Sequence, residues 1–256
     1  MGSICCSVCD STIVYASNVL PETSYQWFNY WGRKRLKKYY KAFLFGSIGT
    51  LVETSEIQRK SFNEAFKKKG LDWYWTKKEY IKLLNKSGGR DRITEYARTK
   101  GIKVNAKQLR DLKTKLFNNY LKKNHLKLRP GVKNIINLCN KEKIKIGFVT
   151  STSKNNINSI LFSLRKSISQ KNFNFIGNSK LVKNLKPNPD IYLLALKKLK
   201  LKPKECLAIE DSQESLNSAV KAKIKCIIFP GKFHLNKKFK NAFKKLEKLS
   251  KNIILR

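Results

Sequence analysis

Four short clusters in this chain carry, or conspicuously lack, side chains able to do chemistry, and each follows an apolar run. Thr150, Ser151 and Thr152 come after residues 144–149. Hydroxyls there, beside free amides at the start of a helix, make either an anion cradle or a plain N-cap. Lys186 stands directly before Pro187, Asn188, Pro189 and Asp190, where the prolines fix a helix start. Glu210, Asp211 and Ser212 close the run 206–209, and that acidic pair also reads as an N-cap. The fourth cluster, Gly46, Ser47, Ile48, Gly49 and Thr50, follows 42–45 with a glycine turn but no carboxylate. Ser47 falls on the opposite side of the strand from its neighbours, and no histidine lies near to activate it.

Elements must position these clusters, and the hydropathy pattern supplies them. Buried strands are predicted at 42–45, 144–149, 173–176, 206–209 and 226–229, with helices at 132–140, 156–164, 189–199 and 215–222 between them. That alternation specifies an α/β fold with a doubly wound parallel sheet. Ligands in such sheets bind beyond the carboxyl ends of the strands, where all four clusters fall. Residues 41–54 and 131–231 form the core. Between them, 55–130 is helical, with Phe62 and Phe66 four apart and Leu109, Leu112, Leu116 and Tyr120 at three and four spacing. Residues 1–40 form an extension without a motif. Residues 232–256 read as a basic amphipathic helix carrying Phe239, Phe243, Leu246 and Leu249 among lysines.

Composition limits the reading. With 256 residues and 41% hydrophobic content the chain buries a full core. Its formal charge of +39 points ordinarily to a polyanion, but it comes from 46 Lys against 10 Arg spread along the whole chain. Codon bias toward Lys, Asn and Ile accounts for such a spread, and no specific nucleic-acid motif is present. Cys139, Cys206 and Cys226 sit singly in apolar segments and read as core thiols, whereas Cys5, Cys6 and Cys9 crowd the N-terminus. A soluble protein of a reducing compartment is expected, without a transmembrane segment. The sequence leaves the oligomeric state open.

The four clusters, in this order, resemble the motifs of the haloacid dehalogenase (HAD) superfamily. Its first motif, DxDGTL followed by an acidic residue and Thr, matches Gly49, Thr50, Leu51, Glu53 and Thr54, while Gly46 and Ile48 replace both aspartates. KPxPDIY matches residues 186–192, and Glu210, Asp211 and Ser212 match the last motif, with Ser215 where glycine is usual. Gly70, Leu71, Asp72, Trp73 and Trp75, followed by Gly88, Gly89, Arg90, Arg92 and Ile93, are similar to the GLDWxW and GGxxRI of CbbY-type sugar-phosphate phosphatases, which act on xylulose bisphosphate.

The resemblance implies a HAD-like Rossmannoid core with residues 55–130 as an inserted α-helical cap. It implies that Thr150, Ser151 and Lys186 meet phosphate, that Glu53, Gly88, Gly89, Arg90 and Arg92 serve the cap side of the pocket, and that Glu210 and Asp211 remain of a magnesium site. In that mechanism the first aspartate attacks phosphorus and the second handles protons, so no catalytic residue is intact here. The expected function is binding of a sugar phosphate or inorganic anion with impaired catalysis. The alternatives are an active phosphatase with an unfamiliar nucleophile and a basic interaction protein docking through its tail. The cytoplasm, or a plastid stroma in a eukaryote, is the expected location.

Overall fold

The computed structural model describes residues 40–84, 88–250 and 253. The N-terminal extension, with Cys5, Cys6 and Cys9, lies outside the described residues.

Five longer strands, β1 (Ala42–Phe45), β2 (Lys145–Val149), β3 (Phe175–Gly177), β4 (Cys206–Glu210) and β5 (Lys225–Ile228), form a parallel sheet with the short β6 (Lys244–Lys245) at one edge. The order is β3-β2-β1-β4-β5-β6. Central strands covered on both faces are apolar along their length, and all of β1 and β4 is buried, with Glu210 at the end of β4 the one charged exception. Alternation along the strands divides the core in two. Phe43, Phe45, Ile146, Phe148 and Ile209 pack with the helices α6 (Val132–Lys141) and α7 (Lys154–Ser163). Ala42, Leu44, Cys206 and Ala208 pack with α8 (Asp190–Leu199) and α9 (Gln213–Lys221). The strand order reverses between β1 and β4, so the crevice forms there.

The segment between α1 (Ile48–Leu51) and α6 folds as α2 (Ser55–Lys68), α3 (Lys77–Leu83), α4 (Gly89–Thr99) and α5 (Ala106–Lys123). Its core is aromatic. Trp75 is fully buried, 4.8 Å from the ring centroids of both Phe62 and Phe66, and Trp73 meets Phe66 edge-on. The Asn63 amide clasps the Trp75 backbone, donating to its carbonyl at 3.0 Å and accepting from its amide at 2.9 Å. Both tryptophans therefore hold this layer together rather than forming a ligand platform. A Thr76–Glu79 capping box starts α3.

Two sequence expectations need correction. The buried stripe of α5 is Leu109, Lys113, Phe117 and Leu121, a strict spacing of four, while Tyr120 is exposed. Leu112 and Leu116 stand beside the stripe, half-buried. Among the described residues of the tail no amphipathic helix forms. Residues 232–250 run as turns around β6, with Phe243 N donating to Cys226 O at 2.9 Å and Leu246 N to Ile228 O at 2.8 Å. The edge of β5 offers unpaired amides and carbonyls, and satisfying them outweighs the helical pattern.

Cys139, Cys206 and Cys226 are buried and free, and burial pushes Cys139 and Cys206 up to about 12, so both are inert thiols. Among the described residues no helix is long and apolar enough to cross a membrane.

Candidate functional site

The register of the sheet decides what surrounds the first loop. Phe45 pairs with Ile209, so the next residues, Gly46 and Glu210, sit side by side at the ends of β1 and β4. Both continue the face that carries Ala42, Leu44, Cys206 and Ala208, against α8. Tyr192, two residues into α8 from Asp190, reaches the same point. A Cβ built on Gly46 would overlap Glu210 Oε1 and the Tyr192 hydroxyl. The place where this fold would carry a nucleophile is thus filled.

Glu210 is fully buried. Its Oε1 accepts from Lys186 Nζ at 2.6 Å and from the Tyr192 hydroxyl, while Oε2 has no hydrogen-bond partner. Burial pushes this carboxyl above the ordinary carboxylate range against the pull of Lys186, and burial beside it pushes the Tyr192 phenol well up. The same Nζ donates to Gly46 O at 2.5 Å and to Val149 O at 2.8 Å. All three ammonium donors of Lys186 are therefore spent inside the protein. Thr150 is 4% exposed, its hydroxyl accepting from Thr152 N at 3.2 Å, and Ser151 Oγ accepts from Lys186 N at 3.4 Å. The N-cap of α7 is Ser153, which leaves Thr150 as a loop brace.

The remaining parts of the first loop are held by groups the sequence did not advertise. Arg129 donates to Gly49 O at 2.7 Å, Phe229 O at 2.8 Å and Pro230 O at 2.6 Å, joining three segments at the crevice floor. Gly49 is required because a Cβ there would overlap the Asp211 carboxylate. Ile48, the first residue of α1, is half-buried against the core. Ser47 Oγ is buried and has no partner. Glu53 is fixed by the amides of Ser55 (2.9 Å) and Lys232 (2.7 Å). Burial pushes its carboxyl up, but those hydrogen bonds and Arg129 outweigh it and hold it below the usual range.

A cavity of about 300 Å³ opens between the crevice and the helical layer. The core contributes Gly49, Asp211, His234 and Asn156, and the helical layer contributes Gln58, Tyr80, Gly88, Gly89, Arg92, Arg110 and Lys113. Thr150, Ser151, Lys186 and Glu210 are not part of its wall. Arg92 is 8% exposed, donates from Nε to Leu83 O at 2.9 Å, and lies 5.5 Å over Tyr80. Arg90 points elsewhere. It is exposed and outside the cavity wall, because residues two apart on a helix do not share a face. The expected partnership of Arg90 with Arg92 is corrected accordingly. Gly88, at φ 86°, starts α4, and a Cβ on Gly89 would stand 3.3 Å from Phe62 and 3.6 Å from Arg110. That close approach brings Arg110 to the cavity.

Magnesium, which the resemblance implies, needs several oxygen donors at short range. Here Gly46 supplies none, and Glu210 Oε1 is committed to Lys186 and Tyr192. Oε2 is the one uncommitted oxygen of this carboxyl, and with Asp211 it offers fewer donors than the ion takes. Among the described residues no three His, Cys, Asp or Glu side chains cluster to hold a metal. The residues present do not fit the ion.

Comparison with known proteins agrees with this architecture. The family model of haloacid dehalogenase-like hydrolases matches residues 49–229. Protein CbbY of Cereibacter sphaeroides is 33% identical over 210 residues, covering 81% of this chain and 91% of that protein. The CBBY-like protein of Arabidopsis thaliana is 30% identical over 214 residues, covering 78% and 66%. The crystal structure of Rhodobacter sphaeroides CbbY in complex with phosphate superposes with a TM-score of 0.73 at 31% identity, covering 82% of this chain and 94% of that one. A point mutant of the same enzyme in complex with xylulose-1,5-bisphosphate gives the same values. The chain belongs to the haloacid dehalogenase-like hydrolase family and, within it, to the CbbY-type subgroup.

Proposed function

We propose that this protein binds a phosphorylated sugar or a similar small anion in the cavity under its cap and does not hydrolyse it. The observation that carries this reading is the filling of the nucleophile's place at Gly46 by Glu210 and Tyr192. Losing a nucleophile costs on the order of 10⁶-fold in kcat in a well-studied hydrolase, and here the replacement is a packed hydrogen-bond network. Ser47 is no substitute: its hydroxyl is buried and unpartnered, with no base to activate it.

Binding is another matter. Arg92, Arg110 and Lys113 line the cavity together with the glycine pair that opens α4; among the described lining residues Asp211 is the one carboxylate, and Glu214 also acts on Arg92. Guanidinium groups and helix-start amides suit phosphate. The CbbY relative with bound xylulose-1,5-bisphosphate supports a ligand of that class. Neither magnesium nor another cofactor is needed for this binding. The phosphate-meeting roles of Thr150, Ser151 and Lys186 give way, in this reading, to the cap cations.

The test is a phosphate-release assay with sugar phosphates and bisphosphates in magnesium, beside a thermal-shift measurement with the same compounds. Melting shifts without turnover are the expected result. Release at ordinary enzyme rates would end the proposal.

A further inference from the structure

Lys113 lies in the middle of the buried stripe of α5 and is 8% exposed. Its Nζ donates to Gln58 Oε1 at 3.0 Å and stands 4.7 Å over Phe62 and 5.0 Å over Phe117. No carboxylate pairs with it among the described residues. From α4 it faces Arg92, and from its own helix Arg110. α2 offers the uncharged Gln58 and Phe62, and α7 offers Asn156. Across the cavity stand Tyr80 of α3 and, from the core, Asp211 and His234. An ammonium with one neutral acceptor, two aromatic faces and two neighbouring guanidinium groups is poorly sustained until an anion arrives.

We propose that Lys113 is a proton-linked anion receptor: buried without a carboxylate partner it holds its proton weakly in the empty cavity, and it takes up as much as one proton when a phosphate- or sulfate-like dianion binds between it, Arg92 and Arg110. This inference rests on the cavity being the anion site proposed above, and it adds what turns that site on and off. Burial, with Arg92 and Arg110 behind it, pulls the Lys113 amine down to about 7, which sets the pH range of the effect. A dianion in contact restores an ordinary ammonium. Each ligand bound above that range must then draw a proton from solution, and affinity falls by up to about tenfold per pH unit as protons become scarce. Burial also holds the His234 imidazole below its ordinary value, so this ring remains neutral at the alkaline pH of the test.

Sulfate is the probe, because it does not itself titrate near neutrality as phosphate does. The full chain is titrated calorimetrically with sulfate at about pH 8.5 in two buffers of different ionisation enthalpy. The expected result is uptake of about 0.5 to 1 proton per sulfate, with a dissociation constant that rises from pH 7 to 9. Lys113→Arg carries its charge at every pH and is expected to bind with no uptake. Lys113→Met is expected to bind at least tenfold more weakly and also without uptake, so the conclusion does not depend on one variant. His234→Asn is expected to keep the uptake. Sulfate binding with buffer-independent heat in the unmodified protein overturns the proton linkage while leaving the anion site standing. Failure of sulfate and of sugar phosphates alike to bind at any pH overturns the site itself.

Discussion

Glu210 lies beside Gly46 across the β1–β4 pairing, and its carboxylate fills the space that a side chain on Gly46 would need. The departure from the family motif is therefore more than two replaced aspartates: the space at position 46 is taken as well. Putting an aspartate back at position 46 drives it into Glu210 and Tyr192, in a region with no room and an existing acid. Gly46→Asp is expected to lower stability by about 1 to 3 kcal/mol, and Gly46→Asp with Ile48→Asp to release no phosphate from xylulose-1,5-bisphosphate. Urea unfolding and a phosphate-release assay check the two halves, and robust turnover by the double variant would refute the packing argument.

The Lys186–Glu210 pair makes a second expectation. Both side chains are buried, at 4% and 0% exposure, and Lys186 also ties together the ends of β1 and β2. Removing one partner strands the other, so Lys186→Met is expected to cost about 3 to 5 kcal/mol. Adding Glu210→Leu to it is expected to recover most of that loss, since the stranded charge is then gone. Two-state urea unfolding of the single and double variants measures the coupling, and additive losses would show that the pair is not the cause.

Much of this was legible beforehand, for definite reasons. Strands β1, β2 and β4 are covered on both faces, so their continuous apolar runs stand out in sequence, and the clusters that follow them locate the crevice. What could not be read was register. Nothing in the order of residues says that Glu210 lies against Gly46, or that Tyr192 reaches the same point from α8. Lys113 escaped notice because a lysine inside an apolar stripe looks like an interruption, and the chain has 46 lysines. The tail misled for a related reason: Phe239, Phe243 and Leu246 keep a helical spacing, but the open edge of β5 captures the backbone of Phe243 and Leu246 instead.

Arg90 and Arg92 separate two accounts of the GGxxRI match. Only Arg92 lines the cavity, and its buried guanidinium already rests on Tyr80. Arg92→Lys is expected to weaken sulfate or sugar-phosphate binding at least tenfold, and Arg90→Ala to change it less than about twofold. Calorimetry of both variants decides; equal losses would mean that a surface field, rather than the cavity, holds the ligand.

The crowded donors of Glu210 lead to an expectation of metal-independent binding. Melting shifts caused by phosphate or sulfate are expected to be the same in excess EDTA and in millimolar magnesium. Magnesium alone is expected to leave the melting temperature unchanged. A shift of several degrees with magnesium alone would show a metal site that the network around Glu210 does not suggest.

Edge coverage predicts the consequence of losing the tail. Phe243 N and Leu246 N bond to the carbonyls of Cys226 and Ile228, so deletion of residues 235–256 reopens the edge of β5. The truncated protein is expected to melt lower and to self-associate in light scattering. An unchanged melting temperature, with only a binding partner lost, would favour an interaction role for the tail.

Lys113 gives the pH dependence of stability in the empty protein. Its folded value of about 7 lies below the ordinary lysine value of 10.5, so the unfolded chain holds more protons between them. Stability from this group is full above the unfolded value and is lost as pH falls toward the folded one. The ligand-free melting temperature is therefore expected to rise from about pH 7 to 9, through a contribution of a few kcal/mol. His234, lowered by burial, acts in the same direction but below its ordinary 6.5, outside that window. Lys113→Met is expected to flatten the rise and to be the more stable protein at pH 7, because the cost of burying an amine that is ordinarily charged at that pH is gone. Saturating sulfate, by restoring the ammonium, is expected to flatten it in the unmodified protein as well. A rise that survives in Lys113→Met would place its origin in another group.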